Sequence, residues 1–250
     1  MSIPKKIHYC WFGKNSLPKS VLKCIESWKC YCPDYEIIQW NETNFDINEI
    51  SYTKEAYKQG KWAFVSDYAR LKIVYENGGI YLDTDVELIK SLDSLLKYDG
   101  FMGFQNNETV ATGLGFGAIA GHSVMKLLLE DYFEIPFLRE DGTMDLTPCP
   151  DRNTKCLEQL GMRVDGTRQD IKGIQIFPAE YFSPLDWKTG KIKKTMNTYS
   201  IHHYEASWLS KGEFRWMKIR QCIGTFAYNK LRYGIVARIL KWTRHSGFDG

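Results

Sequence analysis

The sequence predicts an α/β fold with a mostly parallel central sheet, and two observations carry this. Short runs of strand character alternate with amphipathic stretches through the first half of the chain, the order that stacks helices against a sheet. Proline and glycine mark the boundaries, with Pro18 where a helix opens and Asn77-Gly78-Gly79 where another closes. At 250 residues, a single large domain with an extension fits the length.

In chain order, KKIHYCWF is the first expected strand. Leu17 and Pro18 then open a helix in which Val21, Leu22, Ile25 and Trp28 recur at helical spacing. YEIIQW follows a CPD turn as the second strand. Lys61 to Glu76 forms a helix closed by a glycine in the left-handed cap conformation. GIYLD is the next strand, followed by FMGFQ and FGAIA. HSVMKLLLEDYF is a helix begun by His122 or Ser123, and IQIFP and YSIHHY are later strands.

Composition excludes several classes. The seven cysteines (Cys10, Cys24, Cys30, Cys32, Cys149, Cys156 and Cys222) are odd in number and contain no CxxC pair. Free thiols in a reducing cytoplasm are therefore expected, not a disulfide scaffold or zinc ribbon. No run of about 18 uncharged apolar residues offers a spanning helix. The formal charge of +3 is uneven: from Leu209 to Gly250 nine Lys and Arg face two acids, leaving −4 on the rest. Positive charge confined to one end argues against a nucleic-acid groove.

In GGIYLDTDVEL, residues 78 to 88, an apolar run ends on Asp83 and Asp85. Ligands of α/β sheets gather at the carboxyl ends of strands, and residues two apart in an extended segment point to one side. The two carboxylates would then face one ligand. Mg²⁺ and Mn²⁺ take such oxygen donors together with phosphate oxygens. Alone the pair is a weak signal, because a solvated strand end accounts for it as well. Upstream, Asp67 and Arg70 stand three apart on one helix face. They are either an exposed ion pair, worth little, or a pair reaching the same crevice, Arg70 forking onto phosphate or sugar oxygens and Asp67 accepting from hydroxyls. Gly113, Gly115 and Gly117 either admit a sugar close to the backbone or belong to a twisted strand.

Taken together, Ser66-Asp67-x-x-Arg70 and Gly78-Gly79-x-Tyr81-x-Asp83-x-Asp85 resemble the signature of the DXD-containing sugar transferases of glycosyltransferase family 32. A similar arrangement occurs in the large clostridial glucosylating toxins. IPKKIHYCWFGKNSLP resembles that family's opening strand and loop, and IHHYEASW its late motif. The resemblance spans residues 3 to about 208, with the middle, Gln105 to Arg168, departing most.

The resemblance implies a GT-A type nucleotide-sugar-binding domain over 1–208, with a basic helical extension over 209–250. It implies Mn²⁺ or Mg²⁺ held by Asp83, Asp85 and one of His203 and His202, the alignment on Trp208 favouring His203. Trp11 would stack on the nucleotide base, and Tyr81, Ser207 and Trp208 would complete the donor site. Asp67, Arg70, Asp83 and Asp85 would carry catalysis. The expected reaction moves a hexose from a nucleoside diphosphate sugar, UDP favoured, to a saccharide acceptor with retention, in bacterial capsule or other surface polysaccharide synthesis. An effector that glycosylates a protein shares the chemistry, and a metal-dependent phosphodiesterase would use the same carboxylates.

In the basic extension, Phe226, Leu231, Ile235, Ile239 and Trp242 recur among Lys230, Arg232, Arg238, Lys241 and Arg244. This is either an amphipathic helix lying on an anionic membrane face or a helix packed on the domain with a solvated basic side. The first suits a lipid-linked saccharide acceptor and a cytoplasmic protein peripheral to the membrane.

Overall fold

A computed structural model describes residues 2–186 and 189–205. The expected extension over 209–250, and with it Ser207 and Trp208, lies outside the described residues. The chain divides into two compact units. The first comprises Met1–Pro184 and Lys193–Glu205 and holds every element below. The second includes Leu185–Ile192, where Leu185 and Ile192 form an antiparallel bridge and Asp186 N donates to Lys191 O at 2.9 Å.

The α/β architecture expected from the sequence is present. The strands are β1 (Lys6–Cys10), β2 (Glu36–Trp40), β3 (Gly79–Tyr81), β4 (Val86–Leu88), β5 (Gly100–Gly103), β6 (Phe116–Ala118), β7 (Gln169–Ile171), β8 (Ile174–Phe177) and β9 (Ser200–His202). The helices are α1 (Lys19–Tyr31), α2 (Ser51–Lys58), α3 (Trp62–Asn77), α4 (Ser123–Glu130) and α5 (Cys149–Gln159). Seven strands form one sheet in the order β2-β1-β3-β6-β5-β8-β7, and β4 and β9 pair separately. Five of the seven run the same way; only β6 and β7 oppose them.

Period-2 alternation within the strands feeds a core on each face of the sheet. Ile7, Tyr9, Ile80 and Phe101 pack toward α1, while Cys10, Tyr81, Met102 and Phe116 pack toward α3 and α4. On α1 the buried stripe is Val21, Cys24, Ile25 and Trp28. Leu22, expected on that face, is 46% exposed, and Cys24 takes its place. Trp28 is fully buried because its indole N–H finds Val86 O at 2.7 Å. His122 caps α4, its Nδ1 accepting from Val124 N.

Two glycines shape the approach to the site. Gly78 closes α3 at φ +62° and Gly79 follows at φ +102°, both in the region that side chains disfavour. They turn the chain from the end of α3 directly into β3. No helix among the described residues is long and apolar enough to cross a membrane.

Candidate active site

β1, β2 and β3 run parallel, with His8 opposite Tyr81, so the segments after Cys10 and after Tyr81 leave the sheet at one edge. Asp83 and Asp85 stand at that edge. The extended strand end expected for them is corrected by the structure. β3 stops at Tyr81, and residues 83–86 form a turn closed by Val86 N on Asp83 O at 3.0 Å. The carboxylates converge because the backbone turns, not because a strand alternates.

His202 joins them. Val86 pairs with His202 in the β4–β9 ribbon, which sets the imidazole beside the turn. Its Nε2 is 3.3 Å from Asp85 Oδ1 and 3.9 Å from Asp83 Oδ2. Donor atoms of all three residues lie within 4.8 Å of one another, the one such cluster among the described residues. His203 is placed elsewhere: its Nε2 meets Glu87 Oε2 at 2.8 Å, while its backbone N–H donates to Asp85 O. The structure therefore groups His202 with the acids, and not the His203 that sequence alignment favoured.

Arg70 reaches this group from α3. Its Nη2 is 2.9 Å from Asp67 Oδ1 and 3.3 Å from Asp83 Oδ1. The exposed ion pair considered from sequence is thus ruled out, since the Arg70 side chain is only 6% exposed and that of Asp67 13%. Arg70 Nε donates to Ser66 O at 3.0 Å, and its guanidinium lies 5.2 Å from the centre of the buried Tyr81 ring.

The electrostatics follow from burial and pairing. Burial pushes the Asp67 carboxyl up to about 6; Arg70 opposes this and Asp83 adds to it. Burial also disfavours the Asp83 charge, yet Arg70 and then His202 hold that group below the ordinary carboxylate range. For His202 burial favours the neutral ring, but Asp85 and Asp83 outweigh it and raise its pKa. An anionic cluster that draws a proton onto imidazole has the charge to draw a cation there instead. Two carboxylates and one imidazole, with room between their donor atoms, suit a divalent ion such as Mn²⁺.

The middle of the chain supplies residues that sequence reasoning left open. Gly113 lies in a short 3₁₀ turn, Thr112–Leu114, where a Cβ would stand 2.4 Å from Asp83 Oδ2 and 3.2 Å from Arg70 Nη1. Behind Arg70, the Cys149 thiol is 3.3 Å from Thr112 Oγ1 and accepts from Asn153 Nδ2 at 3.5 Å. Burial pushes that thiol up to about 12, so it serves as packing, not as a nucleophile. Gly113 stands out in the sequence only as one of three alternating glycines, and Cys149 belongs to no spacing pattern that would have marked it. Trp11 follows β1 on the loop at the same sheet edge, partly buried, its indole N–H donating to Asn15 O at 2.7 Å.

Comparison with known proteins bears on this geometry. Residues 18–102 match a family described as the glycosyltransferase sugar-binding region containing the DXD motif. Inositol phosphoceramide mannosyltransferase 3 of Schizosaccharomyces pombe is 31% identical over 105 residues, 40% of this chain and 29% of that protein. Lactosylceramide 4-alpha-galactosyltransferase of Pongo pygmaeus is 24% identical over 161 residues, 58% of this chain and 70% of that protein. The chain thus spans less than a third of the mannosyltransferase it matches. Among solved structures, PaToxG glycosyltransferase aligns with a TM-score of 0.49 at 19% identity, covering 63% of this chain and 70% of that one. The matched stretch, residues 18–102, contains Asp67, Arg70, Tyr81, Asp83 and Asp85.

Proposed function

We propose that the chain is a GT-A type glycosyltransferase that moves a hexose from a nucleoside diphosphate sugar, UDP-linked by preference, to a saccharide hydroxyl. The carrying observation is the convergence of Asp83, Asp85 and His202 beside a buried Arg70. Asp83, Asp85 and His202 would hold Mn²⁺ or Mg²⁺. When bound, such an ion neutralises charge that builds on the departing diphosphate.

The protein's own residues supply the rest. Arg70, always charged and fixed by Asp67 and Ser66, presents positive charge at the acidic edge. Asp67 accepts from sugar hydroxyls when ionised, and Tyr81 is assigned to the donor site by resemblance. Trp11, Ser207 and Trp208 are assigned to the donor by resemblance. Retention is expected through a front-face displacement. The anomeric carbon–phosphate oxygen bond breaks as the acceptor oxygen bonds on the same face, and the acceptor proton passes to the leaving phosphate. That course asks for no carboxylate nucleophile of the kind retaining glycosidases use.

Two of the curated relatives, the mannosyltransferase and the galactosyltransferase, are named for ceramide-linked acceptors. This supports a lipid-linked saccharide here, within surface polysaccharide synthesis, with the basic extension against a membrane face. The test is incubation with a panel of nucleotide sugars and Mn²⁺, scoring nucleotide release. One UDP-sugar should turn over, and Asp85→Asn should abolish it. Absence of both turnover and binding for every donor would overturn the assignment.

A further inference from the structure

A second polar cavity lies away from the acidic edge. Lys90, Lys97 and Arg168 converge on it, with Tyr98, Phe177 and Tyr199 forming its walls and about 120 Å³ between them. Each cation lies beside an aromatic ring, and Lys90 and Arg168 also hydrogen-bond. Lys90 Nζ stands 4.7 Å from the Tyr199 ring centre and donates to Met196 O at 3.1 Å. Lys97 Nζ is 5.2 Å from the Tyr98 centre. The Arg168 guanidinium is 5.0 Å from the Phe177 centre and donates to the Tyr98 hydroxyl at 2.9 Å.

None of the three cations forms an ion pair with a carboxylate among the described residues. The nearby acids are engaged otherwise: Glu180 accepts from Asn197 Nδ2, and Asp170 from Gln175 Nε2 and Gly173 N. Three like charges gathered on aromatic walls repel one another, and no carboxylate among the described residues pairs with them. An anion relieves that repulsion, and the hydrogen bonds of Lys90 and Arg168 reduce the entropy those two lose on binding it.

We propose that this cavity binds the phosphate or carboxylate of an acidic saccharide, at a site distinct from the Asp83, Asp85 and His202 group. The cavity, about 120 Å³, has room for an oxyanion and the edge of a sugar ring. Ser94, Asn197 and Tyr181, also on its wall, offer hydroxyl and amide partners for sugar hydroxyls. The site is joined to the acidic edge by β9: Ile89 N donates to Tyr199 O, and His202 lies three residues on, about 10 Å along the strand. The anion half of the proposal stands on charge alone; the saccharide half rests on the transferase reading.

The test is calorimetric titration of the full chain, without donor or metal, with glucose 6-phosphate, glucuronate, glucose and inorganic phosphate. Both acidic sugars should bind more tightly than glucose by about tenfold, the worth of one charge-assisted contact, and more tightly than phosphate through the added contacts to the sugar hydroxyls. Lys90→Gln with Arg168→Gln should weaken them by at least about tenfold, and Lys97→Gln alone by less. All three positions are exposed, so unchanged melting is expected and is checked by circular dichroism. Asp83→Asn should leave acidic-sugar binding intact, which separates this site from the fate of the transferase assignment. Equal binding of glucose, phosphate binding as tight as the sugars, no binding at about 10 mM, or unchanged affinity in the double variant would each overturn the proposal. So would binding to phosphatidylglycerol vesicles, lost in the double variant, when neither sugar binds.

Discussion

Nη2 of Arg70 stands 3.3 Å from Oδ1 of Asp83, linking the middle of α3 to the turn that follows β3. The same nitrogen is 2.9 Å from Asp67, so one guanidinium neutralises two carboxylates in a nearly closed space. Removing it leaves Asp67 without its cation and Asp83 with His202 alone, and breaking a buried pair costs about 3–5 kcal/mol. Arg70→Gln should therefore lower the free energy of urea unfolding by about 3 kcal/mol. Arg70→Lys should recover part of that stability, because charge is kept, but little nucleotide release, because one ammonium cannot reproduce the fork. Equal stability of the wild type and Arg70→Gln would refute the reading of Arg70 as the electrostatic keystone.

The two adjacent histidines separate cleanly in the structure, and so should their variants. His202 shares its neighbourhood with Asp83 and Asp85, whereas His203 is engaged by Glu87. His202→Ala should weaken Mn²⁺ binding by at least about tenfold, the loss of one ligand among three. His203→Ala should leave the affinity within about threefold of wild type, a difference under 1 kcal/mol. Titration of Mn²⁺ followed by electron paramagnetic resonance reads both. A reversed order would return the metal to His203.

The alternating strands and the helix from Lys61 were legible because apolar spacing reports burial directly. α5 was not, because its buried positions include Asn153, Thr154 and Cys156, which carry no apolar period. α2 was missed for a related reason: of its buried residues, Tyr52, Thr53 and Ala56, one is polar and one small. At the site, Asp67, Arg70, Asp83 and Asp85 were singled out by the resemblance, their spacing alone leaving a solvated strand end and an exposed ion pair open, and the structure brings them together. The choice of histidine was not legible, since it follows from the pairing of Val86 with His202 across more than a hundred residues. Gly113 was noticed as one of three alternating glycines, but only the fold shows that Asp83 occupies the space beside it.

That space yields a prediction. A methyl at position 113 would lie 2.4 Å from Asp83 Oδ2, in a fully buried turn where the neighbours are themselves packed. Gly113→Ala should destabilise the protein by about 1–3 kcal/mol, the usual cost of overpacking. It should also weaken Mn²⁺ binding, because the carboxylate has to move to relieve the contact. Thermal melting and metal titration on one sample distinguish this from a general packing defect. A loss of melting temperature with unchanged metal affinity would show that Asp83 is not displaced.

Acid should act through His8, which is fully buried beneath the Gly78-Gly79 turn. Its Nε2 lies 2.9 Å from Gly78 O, and its Nδ1 lies 3.1 Å from Trp40 Nε1. A carbonyl only accepts and an indole N–H only donates, so the ring is neutral with its proton on Nε2. Burial, partly offset by the bond to Gly78, lowers the His8 pKa below its ordinary 6.5. The unfolded chain therefore takes up a proton between 6.5 and the lower folded value, where the folded protein does not. Its stabilising contribution is complete above pH 6.5 and declines as pH falls through that window. Protonation of Nδ1 would also break the bond to Trp40 and loosen the turn that aims Asp83. In urea unfolding at pH 7.5 and about pH 5, wild type should lose more stability than His8→Asn, measured as the difference between the two pH values. Parallel losses in both proteins would rule out His8 as the acid-sensitive group.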